Sequence, residues 1–407
     1  MKCIFVSNYI NHHQIPFCNA MFKELNGEFL FIQTEPMEEE RVKMGWQAEA
    51  IVPYVRYYEE EPEKCRSLIM DSQIVLFGGS DEESYIQPRL KAGKPVLRYS
   101  ERLYKTGQWK AISPRGLLKK YKDHTRYGSK SVYLLCAGAY VPSDFHLIRA
   151  YADKMFRWGY FPEDKVYDVD KLIKKKGFGE KSGQSCVYLL WAGRFIDWKH
   201  PELPVKTARW LKSKGCSFHL DMIGGGELEP MIRELIRDFD VGDCVTLTGY
   251  RKPEEVREAM EKADIYLVTS DRQEGWGVVV NEAMNSCCAV IGNHMAGAVP
   301  YLLSHGKNGM VYRDGDEQAL FEYAERLCGD PGLRRKLGKA AYDRIHEVWN
   351  PRNAARCLLS LCRERMGFEV PGMDLPENVI STDGPCSAAP VIQERKMYEL
   401  MITNSNE

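Results

Sequence analysis

The chain has 407 residues, more than one hydrophobic core usually organises, so two domains are expected. Apolar residues make up 44% and charged residues 28%, an ordinary globular composition that excludes a disordered or collagen-like chain. With 56 Lys+Arg against 57 Asp+Glu the net charge is -1, so the chain as a whole is not built to wrap nucleic acid and any basic partner surface must be local.

The first residues, Met1–Val6, begin a strand over Lys2–Ser7 and lack the apolar region and cleavage site of a signal peptide. A loop Asn8–His13 and a helical pattern Phe17–Glu24 follow, then strands Phe29–Thr34, Gln73–Gly78, Pro95–Tyr99 and Val132–Cys136. The longest apolar runs, such as 73–77 and 264–268, have strand length and are far too short to span a bilayer. Strands alternating with helices predict βαβ units and a parallel sheet over a first domain, 1–165.

Within it, His12 and His13 stand at the carboxyl end of the first strand, where imidazoles can meet a ligand hydroxyl or phosphate; the plainer reading is two loop residues. Glu101, after strand 95–99, is a second candidate of the same kind. The stretch 105–130 holds eight Lys/Arg and one acid, with Trp109, Leu117, Leu118, Tyr121 and Tyr127 interleaved. Such a surface attracts anionic lipid headgroups or a lipid-linked pyrophosphate, unless it is only a solvated helix face.

A Lys- and Gly-rich stretch, Asp168–Gly183, has the composition of a linker. The alternation then restarts over 184–348, with strands at Ser185–Ala192, Ser217–Ile223, Val245–Gly249, Ile265–Thr269, Ala289–Gly292 and Met310–Tyr312. Residues 349–407 form a tail: an amphipathic helix over Pro351–Arg365, a Pro/Gly-rich stretch 371–390, and a last short helix near Val391–Leu400. The tail is expected to dock back on the first domain. Thirteen cysteines, an odd number with no Cys-x-x-Cys pair, fit a reduced cytosolic chain without a disulfide framework or a zinc site.

In doubly wound sheets ligands bind beyond the carboxyl ends of the strands. Strand 187–191 runs into Gly193-Arg194…Lys199-His200-Pro201 before a helix, a place where a glycine, a helix start and two cations suit an anion such as a diphosphate. Strand 219–223 ends in Gly224-Gly225-Gly226, but Glu229 stands where a dinucleotide fingerprint needs glycine, so nicotinamide binding is disfavoured. After strand 265–269 a loop carries Glu274-Gly-Trp-Gly277, and a helix then bears Glu282, eight residues on. Carboxylates suit polyhydroxyl ligands because each oxygen accepts hydrogen bonds from sugar hydroxyls.

At this segment the sequence resembles retaining glycosyltransferases of family 4, which have the GT-B fold. Glu274 and Glu282 match the ends of that family's E-x7-E motif, and the resemblance extends through Gly193-Arg194…Lys199, 223–226, 245–250, 263–265 and Asn308-Gly309. It implies two Rossmann-like domains facing a cleft. It further implies Arg194 and Lys199 on the donor diphosphate, Glu274 on the donor sugar, Glu282 on the ribose, backbone around Gly277, Val278 and Val279 at the phosphates, Tyr250 near the base, and Gly225 among the donor-binding residues. The expected donor is a nucleotide sugar, uridine ahead of guanosine, with no cofactor and no metal. The expected acceptor is a glycan or lipid-linked intermediate, met in the cytoplasm or at the inner face of the membrane. Two departures stand out: Tyr301 replaces a family glutamate, and Asn8–His13 replaces a glycine-rich loop. A GT-B-like nucleotide-sugar epimerase and a silent nucleotide-sugar-binding protein are the rival readings.

Overall fold

The computed structural model describes residues 2–39, 52–176, 186–369 and 380–403. The first sheet consists of β1 (Cys3–Ser7), β2 (Phe29–Gln33), β3 (Val55–Tyr57), β4 (Ile74–Phe77), β5 (Val96–Ser100), β6 (Val132–Ala137) and β7 (Met155–Trp158). They lie in the order β3-β2-β1-β4-β5-β6-β7, each neighbouring pair parallel. The second sheet holds β8 (Val187–Ala192), β9 (Phe218–Ile223), β10 (Val245–Gly249), β11 (Ile265–Val268), β12 (Ala289–Asn293) and β13 (Met310–Tyr312). Its order is β10-β9-β8-β11-β12-β13, again all parallel. The central strands are buried along their whole length, as β1 and β11 show, because helices cover both faces of such sheets. In each sheet the winding reverses beside the first strand, between β1 and β4 and between β8 and β11. Those two switch points are where a doubly wound sheet leaves a crevice for a ligand.

By packing, the chain divides into two units: residues up to Glu163 with those from Val348 to Gln393, and residues 164–347 with those from Glu394 on. The boundary falls ahead of the Lys- and Gly-rich stretch expected to be the linker. Its described part, 168–176, is fastened to the second unit. Helix Val169–Lys174 is capped by Asp168, and Leu172 is buried with Cys287 and Tyr342. The Lys165 N–H donates to Asn285 Oδ1 (3.0 Å), and Lys176 Nζ donates to the Ala263 carbonyl (2.7 Å). The remainder of that stretch, 177–183, lies outside the described residues, as does 371–379 of the Pro/Gly-rich tail.

Helix Pro351–Met366 starts at Asn350, whose side chain accepts the Asn353 N–H (2.8 Å), and ends at Gly367 in the left-handed region (φ 65°). Leu358, Leu359, Leu361 and Cys362 are buried, and the helix packs against helix Ile15–Glu24 of the first unit. Farther on, the Arg157 N–H donates to the Ser387 carbonyl (2.8 Å) and the Ala389 N–H to that of Met155 (3.0 Å). Phe156 and Ala388 thereby form an antiparallel bridge that covers the edge strand β7. The last helix, Glu394–Thr403, departs from the expectation that the whole tail docks on the first domain. It belongs to the second unit, with Met397 and Met401 buried, Glu394 accepting from Arg272 (3.1 Å), and the Tyr398 ring 5.4 Å from that of His294. Among the described residues no helix is long and apolar enough to cross a membrane.

Candidate functional site

The loops leaving β8, β9 and β11 meet at the second sheet's switch point. Those after β8 and β9 touch backbone to backbone. Gly224 has φ 131°, and a Cβ there would sit 1.9 Å from the Gly193 carbonyl oxygen; one on Gly226 would sit 2.6 Å from that of Phe195. Close packing of two loops is therefore what these two glycines serve. Gly225 lies between them, its carbonyl accepting from the Phe195 N–H (2.8 Å) and the Tyr250 hydroxyl (3.0 Å). Tyr250 remains 59% exposed, with its ring edge on the glycine.

The loops after β8 and β11 are stitched together more firmly. The Asp271 N–H donates to the Trp198 carbonyl (3.0 Å), and the Thr269 hydroxyl donates to that of Lys199 (2.6 Å) while accepting the Trp191 indole N–H (2.8 Å). His200, at φ 50°, places Nδ1 3.0 Å from Glu202 and Nε2 3.6 Å from Asp271. Its partners Asp271 and Glu202 hold the imidazole protonated, pushing its pKa up to about 10. The charged ring binds more strongly folded than unfolded, so its stabilisation is complete below 6.5 and fades as pH rises through about 10. A His200→Ala variant is expected to lose about 1 kcal/mol near neutrality. Thermal unfolding of both proteins across pH 6–11 checks this: the Tm gap should close at the alkaline end, and a gap independent of pH would remove the charge from the account.

Arg194 and Lys199 stand over one indole, with the Arg194 guanidinium 5.9 Å and Lys199 Nζ 4.7 Å from the Trp198 ring centre. Lys199 also forms an ion pair with Glu274, both side chains largely buried. Gly277 (φ 93°) gives that carboxylate room, since a Cβ there would come 3.2 Å from Glu274 Cγ. Between the glycines, Trp276 turns inward: it is buried, donates its indole N–H to Asn281 (2.8 Å), and lies 6.3 Å from the Tyr301 ring. Gly297 presses on Gly275 so closely that a Cβ would meet its carbonyl at 1.8 Å, and the Ala298 N–H donates to the Trp276 carbonyl (2.9 Å). Tyr301, which stands where the resemblance leads one to expect glutamate, is thus a buried neighbour of Trp276.

Val278 begins helix Val279–Asn285 with no side chain capping it. Glu282 lies in that helix, and burial pushes its carboxyl up to about 7 against the pull of Arg257 and Lys165. Tyr266 of β11 is buried, and its hydroxyl donates to the Ala192 carbonyl (3.2 Å) at the end of β8; burial above all, and then the Glu282 and Glu274 carboxylates, raise its pKa.

In the first unit, the His12 and His13 rings lie 3.7 Å apart and Asn11 Oδ1 accepts the His13 N–H (3.0 Å), at the end of β1. Glu101, past β5, accepts from Lys105 (2.6 Å) and Tyr160 (3.1 Å). Thr269, His200 and Asp271, which join the loops after β8 and β11, carry no motif of their own in the sequence. Nothing in the chain pairs positions 200 and 271; the β8–β11 adjacency does, through Ile265 beside Leu189. Among the described residues no group of three or more His, Cys, Asp or Glu is placed to hold a metal ion.

Residues 172–344 match the family model for glycosyl transferases group 1. The chain is 28% identical over 259 residues to the amylovoran biosynthesis glycosyltransferase AmsK of Erwinia amylovora, covering 61% of each protein. It is 28% identical over 174 residues to a putative colanic acid biosynthesis glycosyltransferase, WcaL, of Salmonella typhimurium, covering 41% of this chain and 43% of that protein. The chain thus spans less than two thirds of these relatives' length. Among solved structures it is similar to Anabaena HepE in complex with UDP (TM-score 0.63, 12% identity, 89% of this chain and 100% of that one). It is also similar to a Rickettsia africae glycosyltransferase (TM-score 0.64, 14% identity, 90% and 99%). The architecture is GT-B.

Proposed function

We propose that this chain is a retaining glycosyltransferase of surface-polysaccharide assembly, moving a sugar from a nucleoside diphosphate sugar to a hydroxyl of a glycan carried on a lipid. The observation that carries the reading is the grouping of Arg194, Lys199 and Glu274 on two loops sewn together at the switch point. Two cations beside a carboxylate suit a ligand that is anionic at one end and hydroxylated at the other. The relatives named for amylovoran and colanic acid biosynthesis support the polysaccharide setting. HepE, solved with UDP, supports a uridine diphosphate donor.

In this reading the bond from the anomeric carbon to the diphosphate oxygen breaks, and its electron pair leaves with the phosphate. Arg194 and Lys199 stabilise the charge growing there, the work a metal ion would otherwise do. The acceptor oxygen bonds the anomeric carbon on the same face and passes its proton to the departing phosphate oxygen. Glu274 accepts from hydroxyls of the transferred sugar, Glu282 from the ribose, and backbone at Gly277–Val279 meets the phosphates. Tyr250, exposed beside Gly225, offers a ring face to the base. His12, His13 and Glu101 are the residues proposed to meet the acceptor.

A panel of uridine and guanosine diphosphate sugars, assayed with and without a hydroxyl acceptor, tests the reading. Acceptor-dependent release of nucleoside diphosphate with the anomeric configuration kept is the expected result. An epimerised nucleotide sugar formed without acceptor would replace the transferase by an epimerase. Binding with no turnover of any donor would leave a nucleotide-sugar-binding protein.

A further inference from the structure

Helix Pro114–Asp123 of the first unit has no buried residue, although its sequence is amphipathic. At about 100° per residue, Pro114, Leu117, Leu118 and Tyr121 share one arc of roughly 100°. Gly116, Lys120 and Asp123, the less exposed positions, lie on the opposite side. That side fastens the helix through Arg98, itself buried and paired with Glu83, which donates to the Asp123 carbonyl (2.7 Å); the Lys119–Asp123 pair (2.8 Å) lies within the helix. The apolar arc therefore points away from the protein. A helix of a globular protein normally does the reverse.

The preceding turn, Gln108–Ile112, extends the same surface, with Trp109 69% and Ile112 79% exposed; Leu118 and Tyr121 are 56% and 55% exposed. Of the twelve exposed large hydrophobic residues in the described chain, five fall between 109 and 121. Such a concentration marks an interaction surface. Cations stand beside it: Lys110 is 5.6 Å from the Trp109 ring centre, and Arg115 and Lys122 are the helix cations nearest the arc.

We infer that this face seats the first unit on an anionic lipid bilayer. The apolar arc has the size and pattern to enter the headgroup boundary, Trp109 and Tyr121 have the amphipathic rings favoured at that depth, and the flanking cations meet anionic headgroups. Charge decides against a second copy of this chain, because a two-fold pairing of the face would set its cations against the same cations. The surface is separate from the donor-side residues, so the inference stands or falls independently of the proposed reaction.

Sedimentation of the full chain with vesicles tests it, comparing phosphatidylglycerol in phosphatidylcholine with phosphatidylcholine alone, at low and high salt. The expected result is binding to the anionic vesicles that weakens with salt. A Lys110→Glu/Arg115→Glu/Lys122→Glu variant should lose on the order of 10²-fold in partitioning. An Ile112→Ser/Leu117→Ser/Leu118→Ser variant should lose binding by burying less apolar surface. Both should keep the wild-type circular dichroism spectrum and the turnover of donor in solution. Equal binding to neutral vesicles, vesicle binding unchanged in both variants, or no vesicle binding by a wild type that forms dimers the serine variant cannot form would each overturn the inference.

Discussion

Replacing Arg194 or Lys199 with Ala should lower kcat/KM by roughly 10²–10³, the scale for removing one preorganised group that stabilises charge in the transition state. The two variants should differ in kind. Arg194 stands over Trp198 and can be removed with the loop left in place. Lys199 also partners Glu274, so Lys199→Ala leaves a largely buried carboxylate without its cation and should lower Tm as well. Lys199→Arg should restore stability more than rate, since the planar fork presents its charge differently from a compact ammonium. Activity should survive excess EDTA. Loss on chelation, restored by Mg²⁺ or Mn²⁺, would return the leaving-group role to a metal.

The second expected result separates the two glutamates. Glu274 is assigned to the transferred sugar, where hydrogen bonds tighten as the ring gains positive charge, and Glu282 to a ribose that does not change during reaction. Interactions equal in ground and transition states set KM, whereas those that strengthen in the transition state set kcat. Glu274→Gln should therefore depress kcat strongly with little loss of affinity for the free nucleoside diphosphate. Glu282→Gln should weaken that affinity by roughly 1.5–3 kcal/mol, the range for hydrogen bonds to a charged group, and change kcat less. A pH signature accompanies it. The Glu282 carboxyl titrates near 7 instead of its ordinary 4.5, so the free protein holds the proton more tightly than the unfolded chain. Its stability therefore falls as pH rises from 4.5 through about 7. Nucleotide binding that uses the carboxylate gains over the upper part of that interval, and Glu282→Gln should flatten the profile. Calorimetric titration of the nucleotide at several pH values measures both effects. Lost affinity in Glu274→Gln with retained affinity in Glu282→Gln would reverse the assignment.

Most of the strands and the loops after β8, β9 and β11 were legible because apolar runs of four to six residues end in Gly, Asp or Ser. β3 and β7 were not: each is a short edge strand, and Val55–Tyr57 buries only its first residue. The three-glycine turn was legible as something other than a dinucleotide fingerprint, but its packing on Gly193 and Phe195 depends on β8 and β9 lying side by side. The last helix, near Val391–Leu400, was legible in sequence, but its destination was not. The Arg272–Glu394 pair that accompanies its docking joins positions far apart in the chain. The basic stretch 105–130 was legible as charge and apolar residues mixed. That the apolar arc faces outward is information held by the Arg98–Asp123 attachment.

Neither unit is encoded in one continuous stretch, and this orders events during synthesis. β7 emerges from the ribosome long before its edge partner, since Phe156 and Ala388 are 232 positions apart. At roughly 5–20 residues per second that interval is on the order of tens of seconds. During it the nascent first sheet presents an open hydrogen-bonding edge, a surface for chaperones or for a neighbouring chain on the same messenger. A premature stop late in the message would make that interval permanent, and the damage would appear at a sheet translated more than two hundred codons earlier.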